Sequence, residues 1–156
     1  MSLPITVDQV IAYVESKGDS FAYRFEPLTF ASTQNTNGKT AMQQILAKIV
    51  KVHNCSYQSA RVIYSSSYGR YQIMGFNLYG QLNVQKGFGE FMADNSLQDL
   101  AFNTFLTQKN LAAISTDNFA NDKSARIKFG NIYNGNGNDY AAAIVGALQH
   151  FGVKVS

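Results

Sequence analysis

The chain contains no tryptophan and a single cysteine, Cys55. One thiol excludes an internal disulfide and any multi-cysteine metal site, and leaves Cys55 as an inert buried or half-buried side chain. Histidine occurs twice, at His53 and His150, far apart and outside any Cys-His or His-Glu-X-X-His spacing, so both read as structural or surface residues. The sequence has no phosphate-binding Gly-rich loop, no dinucleotide fingerprint and no Gly-X-Ser-X-Gly elbow, and no cofactor or metal is implied. Its longest apolar runs fall far short of the ~20 residues that span a bilayer, which excludes stable membrane insertion. Met1-Ser2-Leu3-Pro4 lacks a basic region followed by an apolar core and a small-residue cleavage site, so a cytosolic protein is expected unless something else releases it.

Charge is also scarce, at 15% of residues against 46% hydrophobic, a balance that excludes disorder. At 156 residues the chain fits one domain, 1–156, and a domain of this size buries roughly 68–70% of the surface of its unfolded chain. A monomer is expected. The net charge of +3 comes from scattered lysines and arginines, with small groups at Lys48 and Lys51 and at Lys123, Arg126 and Lys128. That field can help to capture an anionic polymer but does not argue for nucleic acid as a partner.

Helical spacing dominates the pattern. Residues 4–16 read as a helix opened by a Thr6/Gln9 capping box, with Val7, Val10, Ile11 and Val14 on one face and Gly18 as its stop. Ser20 to Phe30 reads as extended, interrupted by Pro27, and Ala31 to Gly38 as a polar loop. Helices are predicted over Lys39–His53, Ser56–Ser65, Val84–Ala93, Ser96–Lys109, Asp122–Tyr133 and Asp139–Phe151, with a short helical turn from Tyr71 to Phe76. Repeats, low-complexity tracts and linkers are absent. The expected fold class is mainly α, a single domain with a short β-hairpin beside its cleft.

Three short stretches carry candidate chemistry: Glu15-Ser16-Lys17-Gly18, Ser67-Tyr68-Gly69-Arg70-Tyr71-Gln72-Ile73-Met74 and Ile132-Tyr133-Asn134-Gly135. A carboxylic acid that donates a proton near neutral pH must be kept protonated, and burial among apolar side chains does this. Glu15 suits that role, at a helix end with Tyr13, Phe21 and Phe25 close in sequence. Gly69 allows a close backbone approach, and the Gln72 amide offers both a hydrogen-bond donor and an acceptor. Gln72 is assigned to a groove, and Ile73 and Met74 to the core. Tyr133 and Asn134 close a helix, and with tryptophan absent the nine tyrosines are the natural stacking faces for a ligand.

The order of these stretches resembles the motif triplet of goose-type lysozymes and lytic transglycosylases. The fuller strings Val14-Glu15-Ser16-Lys17-Gly18, Arg24-Phe25-Glu26-Pro27 and Tyr71-Gln72-Ile73-Met74-Gly75-Phe76-Asn77 look like the phage N-acetylmuramidase (endolysin) family. The resemblance implies a lysozyme-like fold and cleavage of peptidoglycan glycan strands at the bond between N-acetylmuramic acid and N-acetylglucosamine. It implies Glu15 as general acid, Ser67, Tyr71 and Gln72 lining the glycan groove, Tyr133 with its hydroxyl near Glu15, and Asn134 holding the following loop. With no export signal and no separate wall-binding domain in the sequence, release to the wall by a holin is expected, with carriage in the virion as the alternative. Two departures stand out: a bulky Arg70, and no tryptophan before Phe119-Ala120. A hydrolase needs a second carboxylate, for which Glu26 is the leading candidate and Asp19 another. A transglycosylase can dispense with it, and a silent glycan-binding or tail-associated module would need neither acid.

Overall fold

Thr6 lies outside the first turn of α1 (Val7–Ser16) in an extended conformation, and its backbone N–H and hydroxyl both donate to Gln9 Oε1, at 2.9 and 3.1 Å. The capping residue therefore starts the helix as its spacing predicts. The helix ends on two successive left-handed residues, Lys17 at φ 59° and Gly18 at φ 85°, and the Gly18 N–H turns back to the Ala12 carbonyl at 3.0 Å. The computed structural model describes residues 5–82, 85 and 87–156. Met1-Ser2-Leu3-Pro4, Val84 and Lys86 lie outside the described residues, and the helix expected from Val84 begins at Phe88, after Gly87 at φ 101°.

The chain divides into two compact units, one made of residues 1–18 and 102–156 and the other of residues 19–101. In the first, α1 joins the later part of α7 (Asn95–Gln108) and the helices α8 (Thr116–Asn121), α9 (Lys123–Tyr133) and α10 (Gly137–His150). Val10, Ile11, Phe119, Phe129, Ile144 and Leu148 are fully buried there. Asp122 caps α9 by accepting from the Ser124 and Ala125 N–H groups, and Asn136 caps α10 from the Asp139 N–H. Helix α8 was not foreseen; its start is a Ser115/Asn118 capping box on a segment too short to show a period.

The second unit holds β1 (Tyr23–Phe25), α2 (Pro27–Ser32), α3 (Thr40–His53), α4 (Tyr57–Tyr64), β2 (Ser66–Tyr68), β3 (Ile73–Met74), α5 (Gly75–Tyr79), α6 (Phe88–Ala93) and the start of α7. The strands form an antiparallel sheet in the order β1-β2-β3, with Arg24 opposite Ser67 and Tyr68 opposite Ile73. The class is as expected, mainly α with a small antiparallel sheet, and the hairpin gains a third strand. Two local expectations are corrected. Pro27 opens a helix and does not merely interrupt an extended run, because its fixed φ suits the first helical position and its missing N–H is one the helix would not have used. The Tyr71–Phe76 stretch is a turn and a strand before it becomes helical at Gly75, because Gln72 sits at φ 49° and breaks the helical path.

Gly75 is required by packing, since a Cβ there would strike the Ile63 carbonyl oxygen. Among the described residues no helix is long and apolar enough to cross a membrane.

Candidate active site

Glu15 lies in the last turn of α1, beside the stripe that buries Val10 and Ile11, and is half-buried. Its Oε1 accepts a hydrogen bond of 2.6 Å from the Tyr140 hydroxyl. Tyr140 is 6% exposed, and its ring belongs to an aromatic cluster in the first unit: 6.1 Å from Phe129 and 5.8 Å from Tyr133 by ring centroids. Tyr133 stacks on Phe129 at 5.2 Å and meets Phe105 edge-on at 5.3 Å. The Tyr140 hydroxyl is thus held on Glu15, and the Tyr133 ring packs beside that of Tyr140. Asn134 is exposed, and its backbone N–H closes α9 on the Gly130 carbonyl at 2.9 Å.

The approach of Tyr140 to Glu15 depends on two glycines. A Cβ on Gly130 would lie 2.7 Å from Tyr140 Cβ and 3.0 Å from Gly137 Cα, so α9 and α10 could not come as close. Asn131 Oδ1 accepts from the Gly137 N–H at 2.9 Å, which fixes the start of α10 against α9.

The second unit carries the other sequence-derived residues. Ser67 and Tyr71 are buried, at 0% and 1% exposure, and Gln72 is half-buried. The Gln72 amide braces the β2–β3 hairpin: its Nε2 donates to the Gly69 carbonyl at 2.9 Å, and its Oε1 accepts from Ser67 Oγ at 2.8 Å. The Gln72 backbone N–H closes the same turn on Gly69 at 3.1 Å. Ile73 is 3% exposed, in the core as expected, while Met74 is half-buried.

Glu26 stands just before α2. Its N–H donates to the Ser65 carbonyl at 2.9 Å, and its Oε1 takes a 2.5 Å ion pair from Arg24 Nε. Asp19 is exposed and accepts from the Phe21 N–H at 2.8 Å, a local turn contact. Of the residues read from the sequence, the structure groups Glu15, Tyr133 and Asn134 in one unit and Glu26, Ser67, Tyr71 and Gln72 in the other.

At the tip of the hairpin, Arg70 and Tyr71 converge on a carboxylate in α7. Asp99 Oδ1 accepts 2.6 Å from Arg70 Nη2 and 2.5 Å from the Tyr71 hydroxyl, and the Arg70 guanidinium lies 5.2 Å from the centre of the Tyr71 ring. The neighbouring Gln98, fully buried, accepts from the Arg70 N–H at 2.8 Å and donates to the Ser20 and Met92 carbonyls at 3.2 and 2.9 Å. Gly69 has no room for a side chain, because a Cβ would strike Gln98 Oε1.

With this geometry in place, sequence comparison decides the relationship. The chain is 37% identical over 149 residues to the endolysin of Enterobacteria phage PRD1, across 96% of this chain and 98% of that protein. It belongs to the endolysin family. No family model matches the sequence, and no solved structure matches it.

Within this member of the endolysin family, sequence reasoning missed Tyr140 and Asp99. Tyr140 occupies a core position on α10, where its hydrophobic spacing hides a polar task. Asp99 is one carboxylate among several on helix surfaces, and only the fold brings Arg70 and Tyr71 onto it. His53 and His150 are both occupied locally: His53 Nε2 lies 2.6 Å from the Tyr79 hydroxyl, and His150 stacks on Tyr13 at 4.2 Å. Cys55 is a half-buried free thiol.

Proposed function

We propose that this chain degrades peptidoglycan during phage-mediated lysis, as an N-acetylmuramidase in which Glu15 is the general acid. The observation that carries the reading is the 2.6 Å hydrogen bond from Tyr140 to Glu15 Oε1 on a half-buried helix end. One carboxyl oxygen is held by the phenol, which sets the orientation of the other for proton donation to a leaving glycosidic oxygen. The near full-length identity to an endolysin supports the lytic role. Under this reading the chain is one lysozyme-like catalytic domain that acts as a monomer and is admitted to the wall by a holin, with virion carriage as the alternative.

Tyr133 and Asn134 stand with Glu15 as the acid's surroundings. Ser67 and Gln72 serve the glycan site by bracing the hairpin turn, and Tyr71 by joining that hairpin to Asp99 of α7. Glu26 is the second carboxylate that the sequence pattern offers. A lytic transglycosylase is the second reading, favoured by the ion pair that engages Glu26 with Arg24. Mass spectrometry of muropeptides released from purified sacculi tests both. Reducing ends from muramic acid are expected; anhydro ends, lighter by one water, would establish the transglycosylase, and no release at all would exclude an enzyme of this class.

A further inference from the structure

Asp122 serves two helices at once. It ends α8 and opens α9, and its Oδ1 accepts from the Ser124 and Ala125 N–H groups at 2.8 and 3.1 Å. The chain is bent again ahead of α8, because Asn110 stands at φ 56° and the Leu111 N–H turns back to the Leu106 carbonyl at 2.8 Å. Residues of both bends line a cleft of about 350 Å³, in the same unit as Glu15. That volume is within the range of small-ligand sites. Leu111, Ile114 and Ala125 give the cleft an apolar wall, and its two charged residues are Asp122 and Lys128.

Both charges face a ligand unopposed. The cap occupies one oxygen of Asp122, and neither its Oδ2 nor the exposed Lys128 ammonium is engaged by another group among the described residues. Lys128 follows Asp122 by six residues, roughly 9 Å along the axis at ~1.5 Å per residue. Helical side chains lean toward the N-terminus, so its stem covers Ser124 and Ala125 on the way to the cleft. A carboxylate and an ammonium at the two ends of an apolar wall suit a ligand with the opposite charges about 9 Å apart, the span of some three extended peptide residues at ~3.3 Å each. An N-acetylated sugar has no ammonium group and would leave Asp122 unanswered.

Resting on the peptidoglycan-degrading reading above, we propose that this cleft binds the peptide stem of peptidoglycan, with Lys128 on a stem carboxylate and Asp122 Oδ2 on its free ammonium. Stem peptides are short and carry both groups, and their alanyl methyls match the wall of Leu111, Ile114 and Ala125. The cleft adds a hold on the substrate and takes no part in bond cleavage.

The probe is the tetrapeptide L-alanyl-γ-D-glutamyl-meso-diaminopimelyl-D-alanine, acetylated on its first nitrogen and titrated into the full chain while amide NMR shifts are followed. Shifts should concentrate on residues 110–128. Lys128→Gln, Asp122→Asn, or acetylation of the diaminopimelyl ammonium should each weaken binding about tenfold or more. Asparagine caps a helix as well as aspartate does, so both variants should melt as wild type. If Asp122→Asn melts lower, Lys128→Gln carries the test, since Lys128 caps nothing. On sacculi both variants should raise KM at unchanged kcat, and the difference should vanish on glycan strands stripped of their peptides by an amidase. Absent shifts, shifts confined to other residues, wild-type affinity in both variants, or an equal rise in KM on stripped strands overturns the assignment. Wild-type protein that releases muropeptides but ignores the peptide removes the cleft alone. Protein that binds the peptide through Lys128 and releases nothing upholds the cleft and removes the lytic reading.

Discussion

The Tyr140 hydroxyl and Glu15 Oε1 are 2.6 Å apart, although 125 positions separate them in the chain. The contact ties the end of α1 to the first turn of α10. Glu15→Gln should keep the fold, because an amide is nearly isosteric with a carboxyl and can still accept from the phenol, but it cannot donate the proton. Loss of general acid catalysis is typically ~10²–10⁴-fold, and turbidity loss of permeabilised cells together with a melting curve checks it. Full lysis by a folded Glu15→Gln variant would remove Glu15 from the role.

Tyr140→Phe should act more mildly than Glu15→Gln. The ring keeps its place against Phe129 and Tyr133, and only the hydroxyl is lost. A hydrogen bond to a charged group is worth about 1.5–3 kcal/mol, so kcat should fall roughly ten- to a hundredfold with a small change in melting temperature. A variant with unchanged kcat would show that Glu15 is oriented without it.

Gln72→Ala should lower stability. The substitution removes the brace between Gly69 and Ser67 and leaves the fully buried Ser67 hydroxyl without its best acceptor, a loss of about 1–3 kcal/mol. Ile73→Ala, at a position 3% exposed, should cost about 2–5 kcal/mol. Thermal melts of the two variants separate this account from a purely ligand-facing Gln72, for which only Ile73→Ala would shift the melting temperature.

That pair of residues also shows what the sequence discloses. Helical periodicity located α1, α3, α4, α7, α9 and α10 within a few residues, because their apolar faces repeat over two turns or more. The caps at Thr6, Ser56, Asp122 and Asn136 are local chemistry and can be read locally. The sheet could not be read so: β1 is three residues long and exposed throughout, and β2 is three residues buried throughout, so neither shows the alternation that marks a strand. Glu15 stood out through its neighbours in sequence. Its partner did not, because a tyrosine on the buried face of α10 looks like core. Arg70 looked like an anomaly, and its partner Asp99 is visible only when α7 is brought to the hairpin.

Acidification should weaken the second unit through His53. Burial lowers the pKa of His53 below its ordinary value of 6.5, and its Nε2 meets the Tyr79 hydroxyl at 2.6 Å while Phe88 packs at 5.0 Å. The other titratable groups at this place are Tyr79, whose phenol burial pushes up, Cys55 beside it, and Lys48, which donates to the Tyr79 carbonyl at 3.1 Å. With the folded pKa below the unfolded one, the unfolded chain binds more protons in the window between them. The stabilisation is then complete above the unfolded value near 6.5 and is lost as pH falls through the folded value. Urea melts from pH 7.5 down to 5 should show stability falling below about 6.5, and His53→Gln should flatten that slope.

Gly130→Ala tests whether the acid is set by helix packing. Alanine is the better helix former, and within a helix the exchange alone would stabilise by roughly 0.5–1 kcal/mol. At Gly130 the new Cβ would sit 2.7 Å from Tyr140 Cβ and 3.0 Å from Gly137 Cα, closer than side chains tolerate, and neither neighbour is the loose end of a side chain. Helix α10 must therefore shift away from α9, at a cost of about 1–3 kcal/mol for overpacking. The shift carries Tyr140, since the clash falls on its own Cβ, so its hydroxyl should leave Glu15 before the fold is lost. Gly130→Ala should accordingly lose as much kcat as Tyr140→Phe, and adding Gly130→Ala to Tyr140→Phe should lower kcat little further. Additive losses in the double variant would mean that Gly130 affects catalysis by a route other than Tyr140, while wild-type kcat with a lowered melting temperature would make the glycine contact purely structural.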